Sequence, residues 1–126
     1  MSRPSDSRKK LGRWGEDVAA LQLEANGLTI VEHNWRCSLG EIDLVARDDE
    51  VLVFVEVKTR KGRAFGAPEE SLTPAKAQKL MQLGLQYVAD HDLEDVGWRI
   101  DLVAVELDES GRLLRCDHIP NAVLGW

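Results

Sequence analysis

Three charged residues stand in otherwise apolar segments of this 126-residue chain, and their types suit metal-dependent chemistry. Asp43 lies within Ile42-Asp43-Leu44-Val45-Ala46, while Glu56 and Lys58 follow the run Val51 to Val55. Side chains alternate along a strand, so Glu56 and Lys58 point to one face. Burying charge is costly unless it is paired or bound to a metal. Carboxylates that converge on a sheet therefore favour a hard cation with oxygen ligands, such as Mg²⁺ or Mn²⁺.

Such a site suits phosphodiester hydrolysis. A cation on Asp43 and Glu56 would activate water, and Lys58 would orient that water or stabilise the transition state. The alternative is a cross-strand ion pair among the same three side chains, an arrangement that is common and contributes little to stability. The apolar residues before Glu56 favour the site, because charge is rare in a core strand.

Glu16 is a further candidate because of its place on a predicted helix. On the helical wheel it neighbours small and apolar residues, namely Gly12, Ala19, Ala20 and Leu23. An acid on such a face needs a partner, so Glu16 is either a supporting acid of the site or a surface glutamate near the helix N-terminus. Glu41, which shares a strand face with Asp43, is a possible supporting residue. Asp101 either supports the site or pairs near Arg99.

A basic loop directly follows the candidate strand and carries Arg60, Lys61 and Arg63. It could hold a DNA backbone without reading sequence, or it could be a solvated loop. The net charge of −6 does not exclude nucleic acid, because residues 84–126 hold nine acids and three bases and so account for all of it. Two basic clusters lie in the rest of the chain: Arg3, Arg8, Lys9, Lys10 and Arg13, then Lys58, Arg60, Lys61 and Arg63.

Length and composition predict one globular domain over residues 11–126, preceded by a flexible basic arm over residues 1–10. No apolar run is long enough to span a membrane, and the polar N-terminus does not resemble a signal peptide, so a cytoplasmic location is expected. Cys37 and Cys116 are expected to be reduced packing residues, as are the tryptophans. The three histidines have no zinc-ligand spacing.

The periodicity predicts an α/β domain with the order α-β-β-β-α-β-β. The first helix should bury Leu11, Trp14, Val18, Leu21 and Ala25. The run from Val51 is apolar on both faces, as in a central strand covered on both sides. A helix between the third and fourth strands implies a right-handed parallel crossover in a mixed sheet. The expected elements are helices Leu11–Asn26 and Pro74–Asp90, and strands Leu28–Cys37, Glu41–Arg47, Val51–Thr59, Trp98–Leu107 and Leu113–His118.

These motifs together resemble the PD-(D/E)xK restriction-endonuclease-like superfamily, and more narrowly the bacterial YraN-like family of uncharacterised proteins thought to be endonucleases. The motifs are Gly12-Arg13-Trp14-Gly15-Glu16, Asn34-Trp35-Arg36, Gly40-Glu41-Ile42-Asp43, Phe54-Val55-Glu56-Val57-Lys58-Thr59-Arg60 and Arg99-Ile100-Asp101-Leu102. The similarity covers roughly residues 11–124. Ile42 stands where the superfamily name has proline. Leu83, not glutamine, lies four residues before Tyr87, so the Gln-x-x-x-Tyr motif of the RecB-type branch is absent.

The resemblance implies a mixed sheet flanked by helices, similar to archaeal Holliday-junction resolvases. It implies metal ligation by Asp43 and Glu56, a catalytic role for Lys58 and a supporting role for Glu16. The expected function is metal-dependent endonuclease activity on DNA, including branched or repair and recombination intermediates. Two alternatives are a nucleic-acid-binding module that does not cut and a partner-assembly protein with an internal ion-pair network. A homodimer is plausible because the domain is small.

Overall fold

The computed structural model describes residues 4–64 and 66–123 and has a mixed α/β architecture. Two helices, five strands and a short 3₁₀ helix follow the order α-β-β-β-α-β-β that the sequence predicts, with the 3₁₀ helix inside the loop before the second helix. The elements are α1 (Pro4–Ala25), β1 (Thr29–Cys37), β2 (Gly40–Asp48), β3 (Val51–Lys61), the 3₁₀ helix (Pro68–Ser71), α2 (Pro74–Asp90), β4 (Trp98–Leu107) and β5 (Leu113–Ile119).

The five strands form one sheet in the order β1-β2-β3-β4-β5. β3 pairs with β4 in parallel, as the intervening helix implies, and the other neighbours are antiparallel. The hairpin between β2 and β3 turns after Asp48, which pairs with Val51. β3 is therefore the central strand of the sheet, and β2 lies beside it with the aspartate of the candidate site.

The two helices cover opposite faces of the sheet, because alternate residues of β3 belong to different apolar clusters. Val53, Val55 and Val57 pack with Ala19, Ala20 and Leu23 of α1. Leu52 and Phe54 pack on the other face with apolar residues of α2, namely Leu80, Leu83, Tyr87 and Val88. The prediction that β3 is covered on both sides is confirmed, so a charge within β3 sits in the densest part of the molecule.

Helix α1 differs from its prediction in where it begins and in which face it buries. It begins at Pro4 instead of near Leu11, so residues 4–10 of the predicted flexible arm are helical, and residues 1–3 lie outside the described residues. Its predicted apolar stripe is wrong, since Leu21 is 69% exposed and Trp14 is 39% exposed. The face that packs on the sheet is the small-residue face, with Gly15, Ala19, Ala20 and Leu23. This is the face on which the helical wheel places Glu16.

The small residues allow α1 to lie very close to β3. A Cβ built on Gly15 would fall 1.9 Å from Thr59 Oγ1 and 3.1 Å from Thr59 Cβ, so only glycine fits there without a shift. Close contact of backbones is a common reason for glycine within a helix. This contact fixes the first turns of α1 over the end of β3 that carries Glu56 and Lys58.

Strand β3 continues to Lys61, beyond the predicted end at Thr59. Arg60 and Lys61 are therefore strand residues and not loop residues, because β4 continues beside them and pairs with both. Cys37 and Cys116 are both free thiols and partly buried, which agrees with the prediction of reduced cysteines. In the part of the chain that is described, no helix is long and apolar enough to cross a lipid bilayer.

Candidate active-site cleft

Asp43 lies where β2 separates from β3. The ladder between these strands runs from Asp48–Val51 to Leu44–Val55 and ends there. Beyond that point the backbone N–H of Val57 donates to Asp43 Oδ2 at 2.8 Å. The side chain thus satisfies a backbone donor that the ladder leaves unpaired, which buried strands require. This hydrogen bond fixes the carboxylate beside the next residues of β3.

Glu56 is almost fully buried, and each of its two oxygens faces a lysine. Its side chain is 8% exposed, with Oε1 at 4.0 Å from Lys58 Nζ and Oε2 at 3.5 Å from Lys76 Nζ. Lys58 follows on the same face of β3, as the alternation predicts, whereas Lys76 comes from the first turn of α2. Although Lys76 stands among the polar residues of α2, its ammonium contacts this buried carboxylate.

A cleft of about 310 Å³ opens between α1 and the end of β3. It brings together the four residues that the sequence marks as catalytic, namely Asp43, Glu56, Lys58 and Glu16. Arg8, Leu11 and Gly12 of α1 and Val57, Thr59 and Arg60 of β3 complete the lining. α1 contributes Glu16, β2 contributes Asp43 and β3 contributes Glu56. The group is therefore assembled only in the folded chain.

The Asp43 carboxyl has a strongly perturbed acidity. The pKa of Asp43 is raised from 3.8 to about 8, mainly by burial and then by the neighbouring negative charge of Glu56, whereas the hydrogen bond from Val57 opposes the rise. Glu16 adds a smaller repulsion. Among the described residues Asp43 has no ion pair with a base. An unpaired carboxyl crowded by a second carboxylate is an arrangement that a bound cation would relieve.

Glu16 is half-buried beside the same acids. Burial raises the pKa of its carboxyl, the charges of Glu41 and Asp17 raise it further, and hydrogen bonding from the Asn34 side chain opposes the rise. Asn34 adopts a positive φ of 51°, which is uncommon outside glycine but tolerated by asparagine. Glu16 also lines a second cleft on the other side of α1, of about 330 Å³. The placement favours the supporting-acid interpretation over an exposed helical glutamate.

The carboxylates of the cleft are ligands of the type that a hard divalent ion binds. Magnesium is commonly held by one or two carboxylates and keeps several waters. Asp43 and Glu56 supply two carboxylates of opposing strands beside an open cleft. Within residues 4–64 and 66–123 no three His, Cys, Asp or Glu side chains are grouped as a complete ligand set. The two carboxylates are ligands of the kind that a partly hydrated, oxygen-ligated ion takes.

The three predicted nucleic-acid-binding residues have different surroundings. Arg60 lines the cleft, and its Nε is buried without a hydrogen-bond partner among the described residues. Lys61 is exposed at the end of β3. Arg63 is held by the buried Glu106, with Nε 2.7 Å from Oε1 and Nη2 3.1 Å from Oε2. Arg60 is therefore better placed for a ligand than Arg63, whose charge is already paired.

Glu41 and Asp101, the two possible supporting residues, have partners outside the cleft. Glu41 pairs with Arg36 across β1 and β2 at 3.4 Å and lines the second cleft with Glu16. Asp101 is completely buried; it accepts from the Arg99 guanidinium at 2.9 and 3.1 Å and contacts His118 Nε2 at 2.7 Å. Asp101 thus belongs to a buried charge network of β4 and β5.

Sequence reasoning missed Lys76, Arg8 and Asn34 as neighbours of the site. Lys76 stands among polar residues of a helix and Arg8 belongs to the predicted arm, and polar periodicity carries no information about tertiary contacts. The one available signal for Lys76 was its place three residues after Thr73. The Thr73 hydroxyl accepts from the Lys76 backbone N–H at 3.2 Å and so caps α2. First-turn side chains of a crossover helix lie near the strand end that precedes it.

Comparison with known proteins gives a consistent set of relatives. The model of the uncharacterised protein family UPF0102 matches residues 15–105. A UPF0102 protein of Roseiflexus castenholzii is 47% identical, covering 92% of this chain and 94% of its own. One of Beutenbergia cavernae is 49% identical over 90% and 95%, and one of Pelotomaculum thermopropionicum is 44% identical over 94% and 98%. The matched range includes Glu16, Asp43, Glu56 and Lys58.

Proposed function

This chain belongs to the UPF0102 family, and we propose that it is a metal-dependent endonuclease that hydrolyses phosphodiester bonds in DNA. The observation that carries the proposal is the pair of crowded carboxylates, Asp43 and Glu56, in an open cleft beside Lys58. The resemblance to PD-(D/E)xK nucleases in the same residues supports it. The carboxylate pair and this resemblance are also the reason for proposing Mg²⁺ or Mn²⁺ as the cofactor.

Each side chain has a distinct role in this proposal. Asp43 and Glu56 would hold the ion through carboxylate oxygens, and a bound ion supplies an activated water and positive charge. Lys58 would orient the attacking water or stabilise charge that develops on the phosphate oxygens. Glu16 would support the site from α1, where Asn34 orients it. Arg8 and Arg60 flank these groups and suit contacts with the DNA backbone.

The test is a cleavage assay over single strands, flaps, duplexes and four-way junctions, with Mg²⁺ or Mn²⁺. We expect product on at least one substrate with either ion and none in excess chelator. The branched substrates matter because the resemblance extends to Holliday-junction resolvases. Failure to cut any substrate with either ion would contradict the proposed function. A cytoplasmic location and a homodimer stay predictions of the sequence.

A nucleic-acid-binding module without cleavage is the alternative that a specific observation favours. Arg8 and the unpaired Nε of Arg60 supply cationic groups to the cleft whether or not chemistry occurs there. Salt-dependent binding to forked or four-way DNA, with no product across metals, would support this alternative. The third interpretation, an internal ion-pair network, fits Glu56 and its lysines but leaves Asp43 unexplained, because Asp43 pairs with no base of the described residues.

A further inference from the structure

Lys76 is a second lysine at the candidate site, and the proposed function assigns it no role. It lies in the first turn of α2, on a different element from the other site residues. Its Nζ is 3.5 Å from Glu56 Oε2, closer than the 4.0 Å that separates Lys58 Nζ from Oε1. The Lys76 side chain is 39% exposed, against 29% for Lys58. The Lys76 ammonium therefore has more open space around it than that of Lys58.

The contact of Lys76 with Glu56 competes with a cation at the same carboxylate. An ammonium group and a divalent ion that share one carboxylate repel each other, and the repulsion is strong where little water screens it. Glu56 is 8% exposed, so screening is weak at this position. Lysine carries its charge on a flexible four-carbon stem, which permits the ammonium to swing away while the helix stays in place.

We propose that Lys76 is an exchangeable counter-ion: it neutralises Glu56 in the metal-free protein and is released by the bound cation to contact a DNA phosphate. This inference rests on the proposed function and adds a residue and an order of events to it. The released ammonium remains near Glu56, which lines the cleft, because α2 is anchored at Thr73 and by its buried residues Leu80 and Leu83. Binding of the ion and binding of DNA are then coupled through one side chain.

The test compares Lys76→Ala and Lys76→Met with Lys79→Ala. Lys79 lies one turn later on the same helix, so its removal changes the net charge equally without touching Glu56, and Lys76→Met keeps the stem while removing only the charge. Calorimetric titration with Mn²⁺ in the absence of DNA should show both Lys76 variants binding Mn²⁺ roughly three- to tenfold more tightly than wild type, the effect of removing one partly exposed competing charge. Lys79→Ala should bind as wild type does.

The second readout is DNA affinity at constant ionic strength, with and without Ca²⁺ as a probe ion. The Lys76 variants should bind DNA roughly three- to tenfold more weakly than Lys79→Ala when the ion is present, and equally when it is absent. A merely structural ion pair would not give this dependence on the ion. Mn²⁺ affinity equal to or weaker than that of Lys79→Ala would overturn the Lys76 proposal.

Asp43→Asn separates the two possible failures. If wild type binds Mn²⁺ and Asp43→Asn does not, the cation site exists, and an unchanged affinity in the Lys76 variants refutes only the role of Lys76. If wild type and Asp43→Asn show the same heats, no cation binds at this site, and both proposals fall together.

Discussion

At the scale of single residues, Asp43 is the most informative group because it is ionisable, only partly exposed and without a basic partner among the described residues. Its carboxylate occupies the gap between β2 and β3 and accepts the Val57 N–H at 2.8 Å. An asparagine could keep that hydrogen bond through its side-chain oxygen while removing the charge. The charge at this position therefore serves something other than the fold. On the proposed function, the negative charge of Asp43 serves to bind the cation.

This placement predicts that the charged form of Asp43 lowers the free energy of unfolding in a pH-dependent way. The pKa of Asp43 is about 8 in the folded protein and 3.8 in the unfolded chain, so folding favours the protonated carboxyl. Its contribution to the free energy of unfolding is therefore complete below about pH 4 and is lost as the pH rises to about 8. Asp43→Asn should therefore be more stable than wild type by roughly 1–3 kcal/mol at about pH 9, and the difference should shrink toward about pH 4. Urea denaturation in excess chelator measures it.

Glu50→Gln is a matched control for that comparison, because Glu50 is an exposed acid in the turn between β2 and β3. It should change stability little at either pH. Equal stability of wild type and Asp43→Asn at high pH would mean that Asp43 is solvated or paired in the folded protein, which the account excludes.

The sequence alone marks Asp43, Glu56 and Lys58 as candidates because each interrupts an apolar run, and all three lie in one cleft. It could not identify the contact of Lys76 with Glu56. That contact joins residues of β3 and α2 whose meeting depends on how the helix crosses the sheet, and no local periodicity records such a crossing. Asn34 was missed for the same reason, since it reaches Glu16 of α1 from strand β1.

At the scale of elements, the packing of α1 on β3 determines the shape of the cleft. Hydrophobic periodicity selected the face with Trp14 and Leu21, and the helix turns the opposite face inward. Close approach to a sheet favours small side chains over bulky ones, and a pattern search that rewards large apolar residues overlooks this. The strand order and the parallel crossover were predictable because they follow from longer and simpler patterns.

Gly15 and Gly12 provide a direct test of this packing. Gly15→Ala places a methyl group against Thr59, 1.9 Å from Oγ1, whereas the Cβ of Gly12→Ala meets nothing within 4 Å. Alanine is the better helix former by about 0.8–1 kcal/mol, so Gly12→Ala should be neutral or stabilising. Gly15→Ala should be destabilised by roughly 1–3 kcal/mol relative to Gly12→Ala, because the helix or Thr59 must shift. Chemical denaturation of both variants compares them.

Equal gains in stability for the two variants would show that α1 does not approach β3 this closely. The lining of the cleft by both Gly12 and Thr59 would then need revision. Glu16 would lose its position beside Asp43 as well, since the same helix carries it.

At the scale of the whole molecule, charge is distributed unevenly around an acidic chain. The net charge is −6, yet the cleft carries Arg8, Lys58 and Arg60 beside its acids. A local cationic surface can hold a phosphate backbone even on an acidic protein, because screening limits repulsion from distant acids to about 10 Å at moderate salt. DNA is thus expected to approach from the side of the cleft.

Two arginines, one on α1 and one on β2, lie near opposite ends of β3 and test this orientation. Arg8 lines the cleft, whereas Arg47 lies opposite Leu52 near the start of β3. Arg8→Ala should weaken DNA binding roughly three- to tenfold at low salt. It should also reduce the slope of log affinity against log salt concentration by about one, and Arg47→Ala should do neither. Fluorescence anisotropy over a salt series measures both effects. Larger losses in Arg47→Ala would place the DNA on the other end of the sheet.

The most direct measurement is metal-dependent DNA cleavage by wild type, Glu56→Gln, Lys58→Ala and the double variant, purified identically and shown to be folded. We expect cleavage by wild type with Mg²⁺ or Mn²⁺ and a loss of at least about a hundredfold in each variant, because each removes a group that acts on the scissile phosphate or its ion. Wild-type protein that cuts nothing, or a double variant that cuts as well as wild type, would contradict it.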